Sequence, residues 1–128
     1  MTAAPAASAG PSSSPVNPLE RIRHFPDDVR ASFVRYQTTG DVAALDPVIY
    51  AILNDYIPNK PEQPLSSFPG STLLIEGLGF DSLAITEVVF FTEELLGITI
   101  ANEEILQVRT LDDLRGFVHA KAPGRKPV

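Results

Sequence analysis

Apolar residues recur every three to four positions along most of this 128-residue chain, and no stretch alternates apolar and polar residues over the length of a strand. This period places apolar side chains on one face of a helix. In "ALDPVIYAILNDYIPNKP" the predicted buried stripe consists of Ile49, Ile52, Leu53 and Tyr56, and Pro58 ends the helix. The sequence therefore predicts an all-α fold.

The predicted helices begin and end at residues that suit helix termini. Proline and acidic residues favour the first turn, and glycine favours the position after the last turn. Asp46 is expected to cap the third helix, and Thr110 to cap the last one together with Asp113. The predicted helical segments are 19–25, Pro26 to near Gly40, 47–57, 82–96, a short helix with Glu103 and Glu104 in its first turn, and a last helix after Thr110.

Composition indicates one folded domain with extensions at both ends. Residues 1–18 are almost all Ala, Ser, Pro and Gly, so they bury too little apolar surface to offset their ordering entropy and are expected to be disordered. We expect a helical extension at 19–40, a domain at 41–120 and a flexible basic tail at 121–128. The long connection at 58–81 must be functional or well packed. The residues expected to pack it are Leu73, Leu74, Ile75 and Leu78.

The helix predicted at 82–96 carries apolar residues on two faces. At about 100° per residue, the face expected to meet the core consists of Ile85, Val88, Val89, Thr92 and Leu96. The Thr92 hydroxyl is expected to bond a carbonyl of the preceding turn. A second stripe on the opposite side consists of Leu83, Glu87, Phe90 and Glu94. Either the N-terminal extension covers this second stripe, or the stripe docks a partner through apolar anchors and orienting acids.

The residue inventory excludes several kinds of chemistry. The chain has no cysteine, which rules out disulfides, thiolate metal sites and cysteine nucleophiles. The two histidines, His24 and His119, lie far apart in the sequence and belong to no partner motif. No set of acid and base residues converges on one place, so we expect no enzymatic activity.

Charge is concentrated in one part of the chain. The net charge of −6 argues against nucleic acid as a partner. Residues 81–118 hold eight acidic residues and two basic ones, Arg109 and Arg115. Their net charge of −6 equals that of the whole chain. This segment is either a solvated helical surface or an acidic face for basic partners. Because no apolar run reaches membrane-spanning length and no signal pattern opens the chain, we expect a cytoplasmic protein.

Ser82 stands at the start of the most apolar helix, in "GLGFDSLA". Free amide groups and the helix macrodipole favour an anion there, so a phosphoester on this hydroxyl would be well placed. Taken by itself, an Asp-Ser pair before a helix indicates a cap rather than a modification site. The surroundings do not match a dinucleotide-binding loop, which needs a third glycine after a strand. They do not match a nucleophile elbow either, since position 84 is alanine.

The segment "LGFDSL" at 78–83 resembles the attachment motif of acyl carrier proteins. The likeness extends over about 41–119. A helix that contains Glu93 and Glu94 near its end is followed by an Ile-x-Ile turn, an acidic short helix and a threonine-capped last helix. The predicted helix 47–57 takes the place of the family's first helix. The resemblance implies a four-helix bundle with a long loop before its second main helix, here with an additional N-terminal helical extension.

The resemblance also implies a prosthetic group. Ser82 would receive 4′-phosphopantetheine from coenzyme A through a separate, magnesium-using phosphopantetheinyl transferase. The terminal thiol of that arm would hold an acyl group as a thioester. Asp81 matches an aspartate associated with recognition by the transferase. The family's partner-docking positions are occupied here by Leu83, Glu87, Phe90 and Glu94.

The partners implied by the resemblance are the transferase, an acyl-loading ligase or synthase, and acyltransferases. They would act on a monomeric carrier that has no catalytic activity of its own.

The sequence departs from the family's common pattern at several positions. Ala84 and Gly77 stand where fatty-acid carriers commonly have acids, which weakens recognition by general fatty-acid synthase enzymes. Bulky Phe90 and Phe91, with Thr92 in place of an aliphatic residue, are expected to reshape the chain-binding cavity.

These departures indicate a dedicated carrier for a specialised fatty-acid, polyketide or lipid pathway. Two other interpretations stay open at this level. An aminoacyl or peptidyl carrier of a nonribosomal-type system uses the same serine chemistry, because the loading enzyme selects the cargo. A helical interaction module without an arm would also use the second stripe, but it gives no reason for the Asp-Ser-Leu motif.

Overall fold

The computed structural model describes residues 18–122, and over this range the protein is all-α, as the sequence predicts. The α-helices are α1 (Pro18–Arg21), α2 (Asp27–Thr39), α3 (Asp46–Tyr56), α4 (Ser82–Leu96), α5 (Asn102–Ile105) and α6 (Leu111–Lys121). Two 3-10 turns lie at Val42–Leu45 and Leu65–Ser67. Except for Pro18, the predicted leader 1–18 lies outside the described residues. So does the predicted tail from residue 123 onward, whereas Lys121 still belongs to α6 and Ala122 is buried.

Helices α2 and α4 end where their glycines predict. Gly40 and Gly97 have φ values of 77° and 69°, in the left-handed region that favours glycine. The Gly40 amide donates to the Tyr36 carbonyl at 2.9 Å, and the Gly97 amide donates to the Glu93 carbonyl at 2.8 Å. These bonds close the last turn of each helix.

The start of α6 has the predicted capping arrangement. The Asp113 amide donates to Thr110 Oγ1 at 3.0 Å, and Asp113 Oδ2 accepts from the Thr110 amide at 3.2 Å. The Arg109 amide donates to the same carboxylate oxygen at 3.1 Å. These amide donors, that of Arg109 first, lower the pKa of Asp113 because they favour its charged form.

Asp46 does not cap α3, so this expectation is wrong. It is the first residue of the helix, and Leu45 occupies the cap position. The Asp46 carboxylate instead accepts from Arg115 Nη2 at 3.1 Å and pairs with His119 Nε2 at 2.7 Å, which ties α6 to α3. The capping aspartate in this region is Asp41, which starts the 3-10 turn that runs directly into α3.

The N-terminal segment shares one core with the rest of the described chain. Residues 22–25 form a turn rather than the predicted helix, yet Ile22 and Phe25 are only 0% and 4% exposed. Helix α2 packs against α3, and α3 packs against α4. The largest fully buried side chains are Phe33, Phe80, Ile22, Leu45, Leu53, Leu111 and Val48.

The long connection between α3 and α4 is well packed, although only half of the predicted residues pack it. Leu74 and Leu78 are buried, whereas Leu73 and Ile75 point outward with 39% and 56% of their surface exposed. The sequence analysis missed two further anchors, Leu65 and Phe80. The Leu74 amide also donates to the Arg109 carbonyl at 2.9 Å, which fixes the connection to the start of α6.

Candidate functional site

The backbone folds back on itself just before Ser82. The Gly79 amide donates to the Ile75 carbonyl and the Phe80 amide to the Leu74 carbonyl, both at 3.0 Å. Gly79 has a φ of 82°, which a residue with a side chain adopts only with strain. A Cβ atom at Gly77 would lie 2.6 Å from the Leu73 carbonyl oxygen, so this tight loop leaves no room for a side chain at that position.

Asp81, and not Ser82, caps helix α4. Asp81 has an extended backbone, and its Oδ1 accepts from the Ala84 amide at 2.8 Å. Ser82 is the first helical residue. The interpretation of Ser82 as the cap is therefore wrong, and the aspartate of the Asp-Ser pair has a structural role of its own.

The Ser82 hydroxyl is exposed and has no hydrogen-bond partner among the described residues. The first intrahelical bond runs from the Ile85 amide to the Asp81 carbonyl at 3.0 Å, and the Ala84 amide is taken by the cap. The amides of Ser82 and Leu83 thus remain for an anion at this helix end. One turn later, Thr86 Oγ1 donates to the backbone carbonyl of Ser82 at 2.8 Å and makes no bond to the Ser82 hydroxyl.

Two substitutions distinguish the capping hydrogen bond of Asp81 from the effect of its negative charge. Asp81→Ala is expected to lower the free energy of unfolding by about 1 kcal/mol, the usual cost of losing a helix cap. Asp81→Asn keeps an oxygen for the Ala84 amide and is expected to change stability by only a few tenths of a kcal/mol. Urea denaturation of both variants checks this. Equal losses for both variants would contradict the capping role.

The two apolar residues of the second stripe are exposed. Leu83 and Phe90 have 68% and 60% of their surface accessible, so helix α1 does not cover them. Glu87 is also exposed and has no ion-pair partner among the described residues. Glu94 differs, because Arg21 Nη1 lies 2.7 Å from its Oε1. The partner-docking role of the stripe stays a prediction.

An aromatic group from α3 lies next to this stripe. The ring of Tyr56 contacts Phe91 at 6.1 Å between centroids, and Phe91 in turn meets Phe25 at 6.3 Å. Partial burial raises the pKa of Tyr56, and the carboxylates of Glu87, Asp55 and Glu94 raise it further. The sequence analysis placed Tyr56 in the core and missed its position beside the acids.

The core face of α4 is rotated slightly from the predicted one. Its buried side chains are Ala84, Val88, Thr92 and Leu95. The predicted members Ile85, Val89 and Leu96 are only half-buried. The Thr92 hydroxyl donates to the Val88 carbonyl at 2.8 Å, as expected, which explains how a polar residue is accommodated on this face.

A small apolar cavity of about 30 Å³ lies between α4, α5 and α6. Its lining is aliphatic apart from Phe117 and Thr92, whose hydroxyl is already bonded. Phe90 and Phe91 do not line it, since Phe90 is exposed and Phe91 packs towards Phe25. Of the three residues expected to reshape a chain-binding cavity, only Thr92 lines this one.

Both histidines are hydrogen-bonded to aspartates away from the serine. His24 Nε2 lies 2.7 Å from Asp55 Oδ2, and His119 Nε2 lies 2.7 Å from Asp46 Oδ1. Neither histidine contacts Ser82. Among residues 18–122, no cluster of three or more His, Asp or Glu side chains is arranged to hold a metal ion.

Comparison with known proteins identifies no relative: no family model, no curated protein and no solved structure matches the chain. In the described part of the chain, no helix combines the length and the apolar character that a membrane crossing requires.

Proposed function

We propose that this chain is an acyl carrier protein whose 4′-phosphopantetheine arm is attached to Ser82. One observation carries the proposal: at the N-terminus of a 15-residue helix, the serine of an Asp-Ser-Leu motif keeps an exposed, unbonded hydroxyl while the aspartate caps the helix. Modification of this hydroxyl would break no hydrogen bond within the described part of the chain.

The attachment chemistry fits the surroundings of Ser82. The Ser82 oxygen would form the new bond to phosphorus as the pyrophosphate bond of coenzyme A breaks, with 3′,5′-ADP as the leaving group and the hydroxyl proton passing to a base of the transferase. The amides of Ser82 and Leu83 would stabilise the negative charge of the phosphodiester at the positive end of the helix. When bound, the arm supplies the thiol that this cysteine-free chain lacks, and an acyl group is held there as a thioester. Exposed Leu83 directly follows the attachment point and offers an apolar contact to a partner enzyme.

The helices α3, α4, α5 and α6 are proposed to be the four helices of the carrier bundle, with the connection at 57–81 as its long loop. The extension formed by α1 and α2 is an addition to that bundle. The cavity between α4, α5 and α6 is the proposed place for a stored chain. At about 30 Å³ this cavity has to widen as a chain enters, because close-packed walls surround it.

The test is a two-step loading reaction on the complete chain. The protein is first converted with coenzyme A, magnesium and a broad-specificity transferase, and then incubated with ATP and an acyl ligase. The proposal expects a second mass gain that neutral hydroxylamine removes, since hydroxylamine cleaves thioesters and spares the phosphodiester. Loading only by amino-acid ligases would favour the aminoacyl carrier. Failure of the first step would favour an interaction module without an arm.

A further inference from the structure

The N-terminal segment Pro18–Phe25 reaches the same face of α4 on which partner docking is proposed. Helix α1 packs against α4, and Arg21 Nη1 lies 2.7 Å from Glu94 Oε1. Arg21 is 29% exposed and Glu94 is 58% exposed, so the pair sits at the surface and not in the core. The C-terminal acid of the second stripe is thereby neutralised by a residue from outside α4.

The segment is held firmly enough to keep Arg21 in this place. Ile22 is completely buried and Phe25 is 4% exposed, with its ring next to that of Phe91. His24 adds a contact to Asp55 on α3. Because the backbone on one side of Arg21 is anchored by packing, the ion pair does not have to hold the segment by itself.

The two acids of the stripe therefore differ in their availability to a partner. Glu87 is exposed and has no ion-pair partner in the described chain, whereas Glu94 already faces a guanidinium. Arg23, 78% exposed, pairs with Glu20 of the same segment and so adds no net charge to this edge. A partner with a basic surface would meet the free carboxylate of Glu87 at one end of the stripe. At the other end it would meet Glu94, whose charge Arg21 already neutralises.

We infer that Arg21 is a specificity-determining residue, which masks Glu94 so that basic partner enzymes are oriented by Glu87 and disfavoured at the Glu94 end. This inference rests on the proposed carrier function. It assigns to the N-terminal extension a role in partner selection, in addition to its packing role. A positive charge placed opposite the basic patch of a partner disfavours a wrong partner or a wrong orientation.

The experiment is a double-mutant cycle on the full chain, with a broad-specificity phosphopantetheinyl transferase as the basic-partner probe. KM for the carrier and the calorimetric Kd are measured for Glu87→Gln, Glu94→Gln, Arg21→Ala and the double variant Arg21→Ala/Glu94→Gln. Arg23→Ala is the matched control, because within residues 18–122 Arg23 pairs only with Glu20, at 3.7 Å. Thermal unfolding of each variant verifies that α1 stays packed.

Glu87→Gln is expected to raise KM and Kd by about two- to fivefold, the range for an exposed charge pair, whereas Glu94→Gln alone changes neither. Arg21→Ala is expected to lower both, and in that background Glu94→Gln raises them again. The inference is overturned if Glu94→Gln acts as strongly as Glu87→Gln, if neither acid matters, or if Arg21→Ala behaves like Arg23→Ala. Absence of loading in every variant would overturn the proposed function together with this inference.

Discussion

Replacing Ser82 by alanine is expected to abolish attachment of phosphopantetheine completely while leaving the fold intact. The hydroxyl is the only atom group lost, and without its oxygen no phosphodiester forms at this position. Because Asp81 and not Ser82 caps α4, the free energy of unfolding should change by less than about 0.5 kcal/mol. Intact-protein mass and urea denaturation measure the two effects separately.

Thr86→Ala is the matched control for this prediction. Thr86 lies one turn further along α4, is exposed, and bonds only the Ser82 carbonyl through its hydroxyl. This variant should be loaded like the wild type. Loading of Ser82→Ala would show that another hydroxyl is the attachment point, and unfolding of Ser82→Ala would contradict the assignment of the cap to Asp81.

Phe80→Ala is expected to be the most destabilising substitution near the site, with a loss of about 3–5 kcal/mol. Phe80 is 2% exposed and closes the loop that sets the start of α4. Its removal costs both the transfer free energy of the ring and the cavity that remains. This is a large part of the 5–15 kcal/mol typical of a small domain. Urea denaturation, with the m-value fitted separately for each variant, measures this loss in the free energy of unfolding.

The control for Phe80→Ala is Phe90→Ala, which removes the same atoms from a side chain that is 60% exposed. Its free energy of unfolding should change by less than about 0.5 kcal/mol, although its KM for partner enzymes should rise. Similar losses for the two variants would contradict the burial on which the fold and the exposure of the second stripe both depend.

The helix termini are predicted correctly from the sequence where a single residue determines them. Gly40, Gly97 and Thr110 each mark a helix end through the conformation or hydrogen bond of a single residue, and each is found as predicted. Asp46 was misassigned because the preceding 3-10 turn continues directly into α3, so no cap is needed at that position. A short turn of this kind has no distinct sequence pattern.

Packing of the irregular parts followed from the sequence only at Leu74 and Leu78. Phe80 lies in a loop without periodicity, so nothing in its surroundings indicates that it is buried. The Arg21–Glu94 pair joins residues far apart in the chain, and a charge pattern within one helix does not reveal it. Ser82 was found from its motif, and the structure adds that its hydroxyl is free and its neighbour is the cap.

The most direct test of the carrier proposal is the intact mass of the wild-type chain after incubation with coenzyme A, magnesium and a broad-specificity phosphopantetheinyl transferase, followed by fragmentation to locate the modification. The account predicts a gain of one phosphopantetheine, located on Ser82. An unchanged mass of the folded protein, with a transferase that modifies a known carrier in the same tube, would contradict it.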